Sequence, residues 1–173
     1  WSKHDKELAR GIGIPVAFVL GKYGKGLVPM ALAESYLEKG QDIFEIFSLA
    51  EKGKMETDSG GKLEMFFVGV GLLAWLSVLN RDAEGAEKTL LSFRERARKD
   101  APNLLPNIDA FLCRVYLYMG KDVADWMAQA PDESREFCTM DRFCYLTKVR
   151  IYIQRGQYQA AYCLIQQILY YAE

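Results

Sequence analysis

The chain has 173 residues, half of them hydrophobic and about a quarter charged, which is enough apolar material for one domain or a short repeat array with a real core. Its 22 basic and 23 acidic residues nearly cancel to a net charge of −1, and that balance argues against a nucleic-acid footprint, because phosphate binding needs clustered Lys and Arg. The tightest of its cysteine spacings, Cys138 to Cys144, leaves five residues between two thiols, too many for paired zinc ligands, and a core of this size needs no disulfide staples. A cytoplasmic protein without a metal site is expected.

In chain order, the sequence opens on Trp1 rather than methionine and is expected to be part of a longer polypeptide. Gly11 to Leu20 is apolar, but Asp5 and Glu7 sit where a secretory signal keeps positive charge, so no signal peptide is expected. Gly21-Lys22-Tyr23-Gly24-Lys25-Gly26 has the glycines of a phosphate-cradling loop, yet the GxxxxGK[ST] spacing fails and no Ser or Thr follows to hold magnesium. A loop between helices is the expected structure there. Gly60 and Gly61 break the chain before its longest uncharged run, Met65 to Asn80. That run is shorter than the roughly 20 residues of a membrane span and predicts the most buried helix, with Gly69 and Gly71 permitting close packing.

Beyond Asn80-Arg81-Asp82, apolar residues recur at helical steps: Ala83, Ala86, Leu90, Phe93 and Ala97. Pro102 and Pro106 interrupt, and Pro106 is placed to open a helix through Tyr118 carrying Ile108, Phe111, Leu112 and Val115, with Met119 just beyond. Val123, Trp126, Met127 and Ala130 predict a short helix stopped by Pro131. Tyr145, Val149, Tyr152 and Ile153 mark the next helix, and Tyr158, Ala161, Ile165 and Ile168 the last. No strand-like alternation competes.

Tyrosine followed after three residues by glycine occurs at Tyr36 to Gly40, Tyr116 to Gly120 and Tyr152 to Gly156, and Asn80-Arg81-Asp82 falls at the corresponding place between the first two. Turns near 40, 80, 120 and 156 define a period close to 40 residues. Small residues near them (Ala33, Ala86, Ala161) let paired helices approach. The predicted fold is all-α: a single domain over 1–173, built as a superhelix of about four antiparallel helix pairs with an extended concave surface.

Tyr152, Gly156, Tyr158 and Ala161 carry the tetratricopeptide pattern, and the chain resembles tetratricopeptide-like superhelices. More narrowly, Leu104-Leu105-Pro106-Asn107-Ile108-Asp109-Ala110, Asp125-Trp126-Met127, Tyr145 to Arg150 and the ending Ile168 to Glu173 resemble the sensor region of large ATP-dependent LuxR-type transcriptional regulators (the STAND class that includes maltose-activator-like, MalT-like, proteins). The resemblance implies an upstream nucleotide-binding switch and a downstream helix-turn-helix, with this segment sensing an inducer and controlling DNA binding by the attached domains. ATP would then belong only to the upstream domain, and no cofactor is expected here. Glu45 and Asp125 depart from the pattern, standing where it prefers a small apolar residue, so the second helices of their repeats are expected to be displaced or shortened.

In tetratricopeptide-like stacks the first helix of each pair lines the concave side. Two residues before each turn tyrosine that face carries Glu34, Arg114 and Arg150, with Ala74 or Trp75 at the matching place in the second repeat and Asn107 and Gln154 on or near it. Arginine there can clamp a carboxylate or phosphate in a fork of hydrogen bonds. The competing reading is that Arg114 and Arg150 pair with acids such as Asp109 and Glu34 or are merely solvated. Trp75 and Trp126 read first as core residues. Catalysis finds little material, since the single histidine, His4, sits near an end and the acids Glu84, Glu87, Glu95 and Asp100 lie along solvated faces. The expected partner is therefore a small-molecule inducer, a peptide or a protein, with no membrane or direct nucleic-acid contact and self-association left open. A tetratricopeptide adaptor for a peptide tail is the alternative, and an all-helical enzyme the third.

Overall fold

A computed structural model describes residues 22–58, 63–134, 138 and 141–171. The readings at His4, Gly11 to Leu20, Gly21, Gly60–Gly61 and the final Ala172-Glu173 lie outside the described residues. Every regular element within them is helical: α1 (Lys22–Glu38), α2 (Ile43–Asp58), α3 (Leu63–Leu79), α4 (Ala83–Asp100), a 3₁₀ turn (Pro102–Leu104), α5 (Leu105–Tyr118), α6 (Ala124–Gln129), α7 (Arg142–Gln154) and α8 (Tyr158–Tyr170). The chain divides into two compact units, residues 1–89 and 90–173.

Four helix ends are built identically, and the reason is backbone chemistry. A helix leaves its last carbonyls without partners, and a residue in the left-handed conformation lets the chain fold back to satisfy them. Gly40, Arg81, Gly120 and Gly156 take that conformation, with φ of 63°, 65°, 70° and 71°. Each donates its N–H three residues back, to the carbonyls of Leu37, Val78, Leu117 and Ile153. The following residue donates five back, to Tyr36, Ser77, Tyr116 and Tyr152. The tyrosine of the repeated motif is thus the residue whose carbonyl closes the cap. Aspartates then start the next helices: Asp42 Oδ1 accepts from Phe44 N at 2.9 Å, and Asp82 Oδ1 from Gly85 N at 2.9 Å, satisfying donors of the first turn.

In the first unit, α1 packs along α2 and α2 along α3, with α1 also touching α3. Ala33, Tyr36, Ile46, Ala50, Leu73 and Leu76 form its core. The Gly21 to Gly26 segment departs from the expected loop: from Lys22 onward it is helix, with Gly24 and Gly26 inside α1. Packing overrides the low helix propensity of glycine there. A Cβ on Gly26 would lie 2.6 Å from the carbonyl oxygen of Gly53, and one on Gly53 would lie 2.9 Å from that of Gly26. The two backbones touch directly, which only paired glycines permit. Gly69 plays the expected role in α3, where a Cβ would come within 3.0 Å of Lys54 Cβ. Among the described residues no helix is long and apolar enough to cross a membrane.

In the second unit, α5 packs against α7 and α7 against α8, with α6 beside α5. Leu90, Phe93, Ala97, Ile108, Leu112, Val115, Ala161 and Ile168 are buried on the stripes expected of them. Pro106 sits in the first turn of α5, where its missing N–H costs nothing. Two stripe assignments fail: Ile153 is 49% exposed and Tyr158 68% exposed. On α8 the buried stripe is Ala161, Leu164 and Ile168, while on α7 Ile151 is buried instead of Ile153 because that helix is covered on more than one side, at Cys144, Tyr145, Thr147, Lys148, Val149 and Ile151. A helix enclosed this way has no single apolar stripe to read. Of the two departures marked by an acid, Asp125 does coincide with a short helix, the six-residue α6, whereas α2 with Glu45 runs a full 16 residues.

Candidate functional site

Helices α5 and α7 run in the same direction. Near their starts the Cys144 thiol donates to Pro106 O at 3.5 Å and approaches Asn107 Oδ1 at 3.8 Å, and toward their ends Cys113 shares a core cluster with Ile151. Asn107, Phe111 and Arg114 recur along one face of α5 at steps of four and three. Phe143, Thr147, Arg150 and Gln154 recur along one face of α7 at steps of four, three and four. Side chains join the two faces. Phe111 and Phe143 stack with ring centroids 5.4 Å apart. The Arg114 guanidinium lies 3.7 Å from the centroid of Phe143, donates from Nε to Thr147 Oγ1 at 2.8 Å and from Nη2 to Phe143 O at 3.3 Å. The Thr147 hydroxyl donates to Phe143 O at 2.9 Å, so its oxygen is free to accept from the arginine.

Among the described residues, the partners of Arg114 are neutral. Burial, and then the charge of Arg150, lower its pKa to about 10. Arg150 stands one turn beyond Thr147 on the same face, is exposed, and makes no hydrogen bond or ion pair among the described residues. Asn107 and Arg114 thus lie on α5, and Arg150 and Gln154 on α7, two helices that pack against each other. Glu34, exposed on α1, and Trp75, half-buried on α3, belong to the first unit. Phe111, Phe143 and Thr147 were missed as site residues. Their signal is present, since they recur with the arginines at steps of three and four, but Phe111 reads from sequence only as core.

The other face of α5 is electrically closed. Asp109, offered by the sequence as a partner for Arg114, pairs instead with Arg94 of α4: Nε donates to Oδ1 at 2.5 Å and Nη2 to Oδ2 at 3.1 Å. That fork raises the pKa of Arg94 further, chiefly through the hydrogen bond. The pair lines a pocket of about 300 Å³ between α4, α5 and α6, walled by Leu112, Tyr116 and Trp126. Trp126 is half-buried and packs on the cluster of Cys113, Val123 and Ile151.

After the short α6, residues 131–134 are pinned onto α7 by polar contacts. Lys148, buried, donates to Pro131 O at 2.8 Å and pairs with Glu133 Oε1 at 2.9 Å. Tyr152 donates to the same Glu133 oxygen at 2.6 Å, and Tyr145 to Asp132 O at 3.2 Å. Burial first, and the Glu133 contact second, push the Tyr152 hydroxyl up to about 12.

The four cysteines are unlinked. Burial raises Cys113 to about 12 and Cys144 to about 11, leaving both as protonated thiols at neutral pH, weak as nucleophiles and as metal ligands. Among the described residues no three His, Cys, Asp or Glu side chains gather as a metal site. No protein-family model matches the chain, and no curated protein or solved structure matches it significantly.

Proposed function

We propose that the chain is a tetratricopeptide-like recognition domain, four antiparallel helix pairs stacked into a superhelix, and that it serves as the ligand-sensing segment of a LuxR-type transcriptional regulator. The observation that carries this reading is the fourfold recurrence of one helix cap at Gly40, Arg81, Gly120 and Gly156. Equal caps at near-equal spacing are what a stack of like units requires. The parallel run of α5 and α7, the first helices of the third and fourth proposed pairs, supports it. Recognition is assigned to the α5/α7 face. A non-catalytic role is part of this reading, and the two buried thiols, held protonated, are poor nucleophiles.

As a sensor the domain works by differential binding: a ligand that bridges α5 and α7 stabilises one spacing of neighbouring pairs over another, and only that difference moves a switch. A thermal-shift screen of small metabolites and peptides against the domain, counter-screened with Arg150→Gln, tests the assignment. Hits that lose their shift in the variant support it, and hits indifferent to it remove recognition from this face. Solution scattering from a compact globule rather than an elongated particle would sink the stack itself. Regulator and adaptor readings separate on the parent polypeptide, where a nucleotide-binding loop before this segment and a helix-turn-helix after it belong to the regulator alone.

A further inference from the structure

We infer that the α5/α7 face binds a compact dianionic oxyanion, a phosphate monoester or a dicarboxylate, held between Arg114 and Arg150. This rests on the recognition reading above and names the ligand class for it. The first ground is uncompensated charge. Arg94, Arg114 and Arg150, carried by α4, α5 and α7, divide sharply. Arg94 has its carboxylate in Asp109, whereas Arg114 has only a hydroxyl, a carbonyl and an aromatic ring, and Arg150 has no partner among the described residues. Two like charges on one stripe repel, and burying one of them costs further unless an anion completes it.

The second ground is unspent donors. Arg114 commits Nε–H to Thr147 and one Nη2–H to Phe143, which leaves Nη1 and the other Nη2–H available along the outer edge of the fork. Stacking on Phe143 and the bond to Thr147 fix the plane of that fork in advance, so little side-chain freedom is lost when it binds. Arg150, one turn along α7, offers its whole guanidinium. Two fixed-sign charges and two forks match an anion with two charges and several acceptor oxygens better than a simple carboxylate. Asn107 and Gln154, at either end of the stripe, can accept or donate to hydroxyls on the rest of such a molecule.

The test is titration of the purified chain with inorganic phosphate, malonate and acetate at low ionic strength, followed by calorimetry and by the arginine Nε–H resonances. Saturable binding of phosphate or malonate, at least tenfold tighter than acetate, is expected, with Arg150→Gln weakening it about tenfold or more and Arg98→Gln, a charge-matched change elsewhere, leaving it unaltered. The tighter of the two dianions identifies the source chemistry. Arg114→Lys, which keeps the charge but not the fork, is expected to weaken binding as well. Because that variant loses a packing contact, Arg150→Gln, altering an exposed side chain, is the deciding one. Acetate binding as tightly as malonate, no saturation with either dianion, or wild-type affinity in Arg150→Gln would each overturn the dianion site. The recognition reading has its own test, since neutral or cationic hits in the thermal-shift screen would keep it alive after the dianion fails.

Discussion

Helices α1 and α2 in the first unit and α5 and α7 in the second are both packed neighbours, but they meet on opposite terms. Gly26 and Gly53 bring the first two together backbone to backbone, with no room for even a methyl group between them. The second two are held apart by side chains, with Phe111, Arg114, Phe143 and Thr147 filling the gap. Contact without side chains gives a seam that can only be structural. A seam made of an arginine fork, a stacked phenylalanine pair and a second, unclaimed arginine exposes chemistry at its edge. Within one chain, then, the residues that set helix spacing also decide which surface is available for recognition.

The contrast predicts that the second unit depends on its polar pins. The strongest pin is Lys148 with Glu133, whose side chains are 8% and 28% exposed. Removing one member of a buried pair costs about 3–5 kcal/mol, because the other is left charged and alone. Glu133→Ala is therefore expected to destabilise the second unit by about 3 kcal/mol, the lower end because Glu133 keeps some water. Denaturant unfolding followed through Trp126 reads it, with the Trp75 signal as a reference in the other unit. Adding Lys148→Met to Glu133→Ala should recover part of the loss, and a double variant no better than the single one would show that packing, not charge, holds the segment.

The buried thiols sharpen the same contrast through pH. Cys113 and Cys144 are raised from an ordinary value of 9.0 to about 12 and about 11, so the folded state holds their protons more tightly than the unfolded chain does. Their contribution is fully present below about pH 9 and is lost as pH rises through the folded values, roughly 2 kcal/mol for each thiol by about pH 11. Arg114 acts in the other direction: its pKa is lowered to about 10, so the cost of burying its charge is relieved above that pH. The second unit should lose stability from about pH 9 upward, less steeply in a Cys113→Ala, Cys144→Ala double variant. Unfolding midpoints near neutral pH and near pH 10.5 check this, and equal slopes in the two proteins would defeat it.

How much of this could be read from sequence follows from which physics is local. Three of the turns were legible because the left-handed cap has a local residue signature, glycine four positions after a tyrosine, and the Arg81 turn by its place in the period. The faces of α5 and α7 were legible because helical periodicity carries Asn107, Arg114, Arg150 and Gln154 to one side. Partner choice was not. Asp109 lies five residues before Arg114 in sequence but pairs with Arg94 across helices, a matter of packing that no spacing announces. The helix through Gly24 and Gly26 was hidden for the opposite reason, since glycine reads locally as a breaker and only the opposing Gly53 explains it.

That glycine seam supplies the next test. In an open helix position Gly→Ala gains up to about 1 kcal/mol in propensity. At Gly26 the added methyl would press on the Gly53 carbonyl and on Thr57, so Gly26→Ala is expected to cost about 2 kcal/mol instead, the usual penalty for overpacking. The unfolding midpoint of the Trp75 signal gives the sign directly. A stabilised variant would mean that α1 and α2 can part without penalty and that the two kinds of seam are not distinct.

The smallest effect belongs to what both units share. Arg81 holds the left-handed cap conformation, at φ 65°, that Gly40, Gly120 and Gly156 hold at the other turns. For a residue with a Cβ this costs about 1–2 kcal/mol, while replacing it by glycine loosens the unfolded chain by about 0.4–1 kcal/mol. Arg81→Gly is thus expected to stabilise the protein by about 0.5–1 kcal/mol. The converse change, Gly120→Ala, should destabilise by a similar amount, and nothing lies within 4 Å of where its methyl group would go, so backbone conformation alone is being measured. Opposite shifts of matched size, read in unfolding midpoints of the two variants, would show the second and third caps to be one device with different residues in it. Shifts of the same sign would mean that the Arg81 turn is held by something other than its cap, and the equivalence of the four turns would fail at that point.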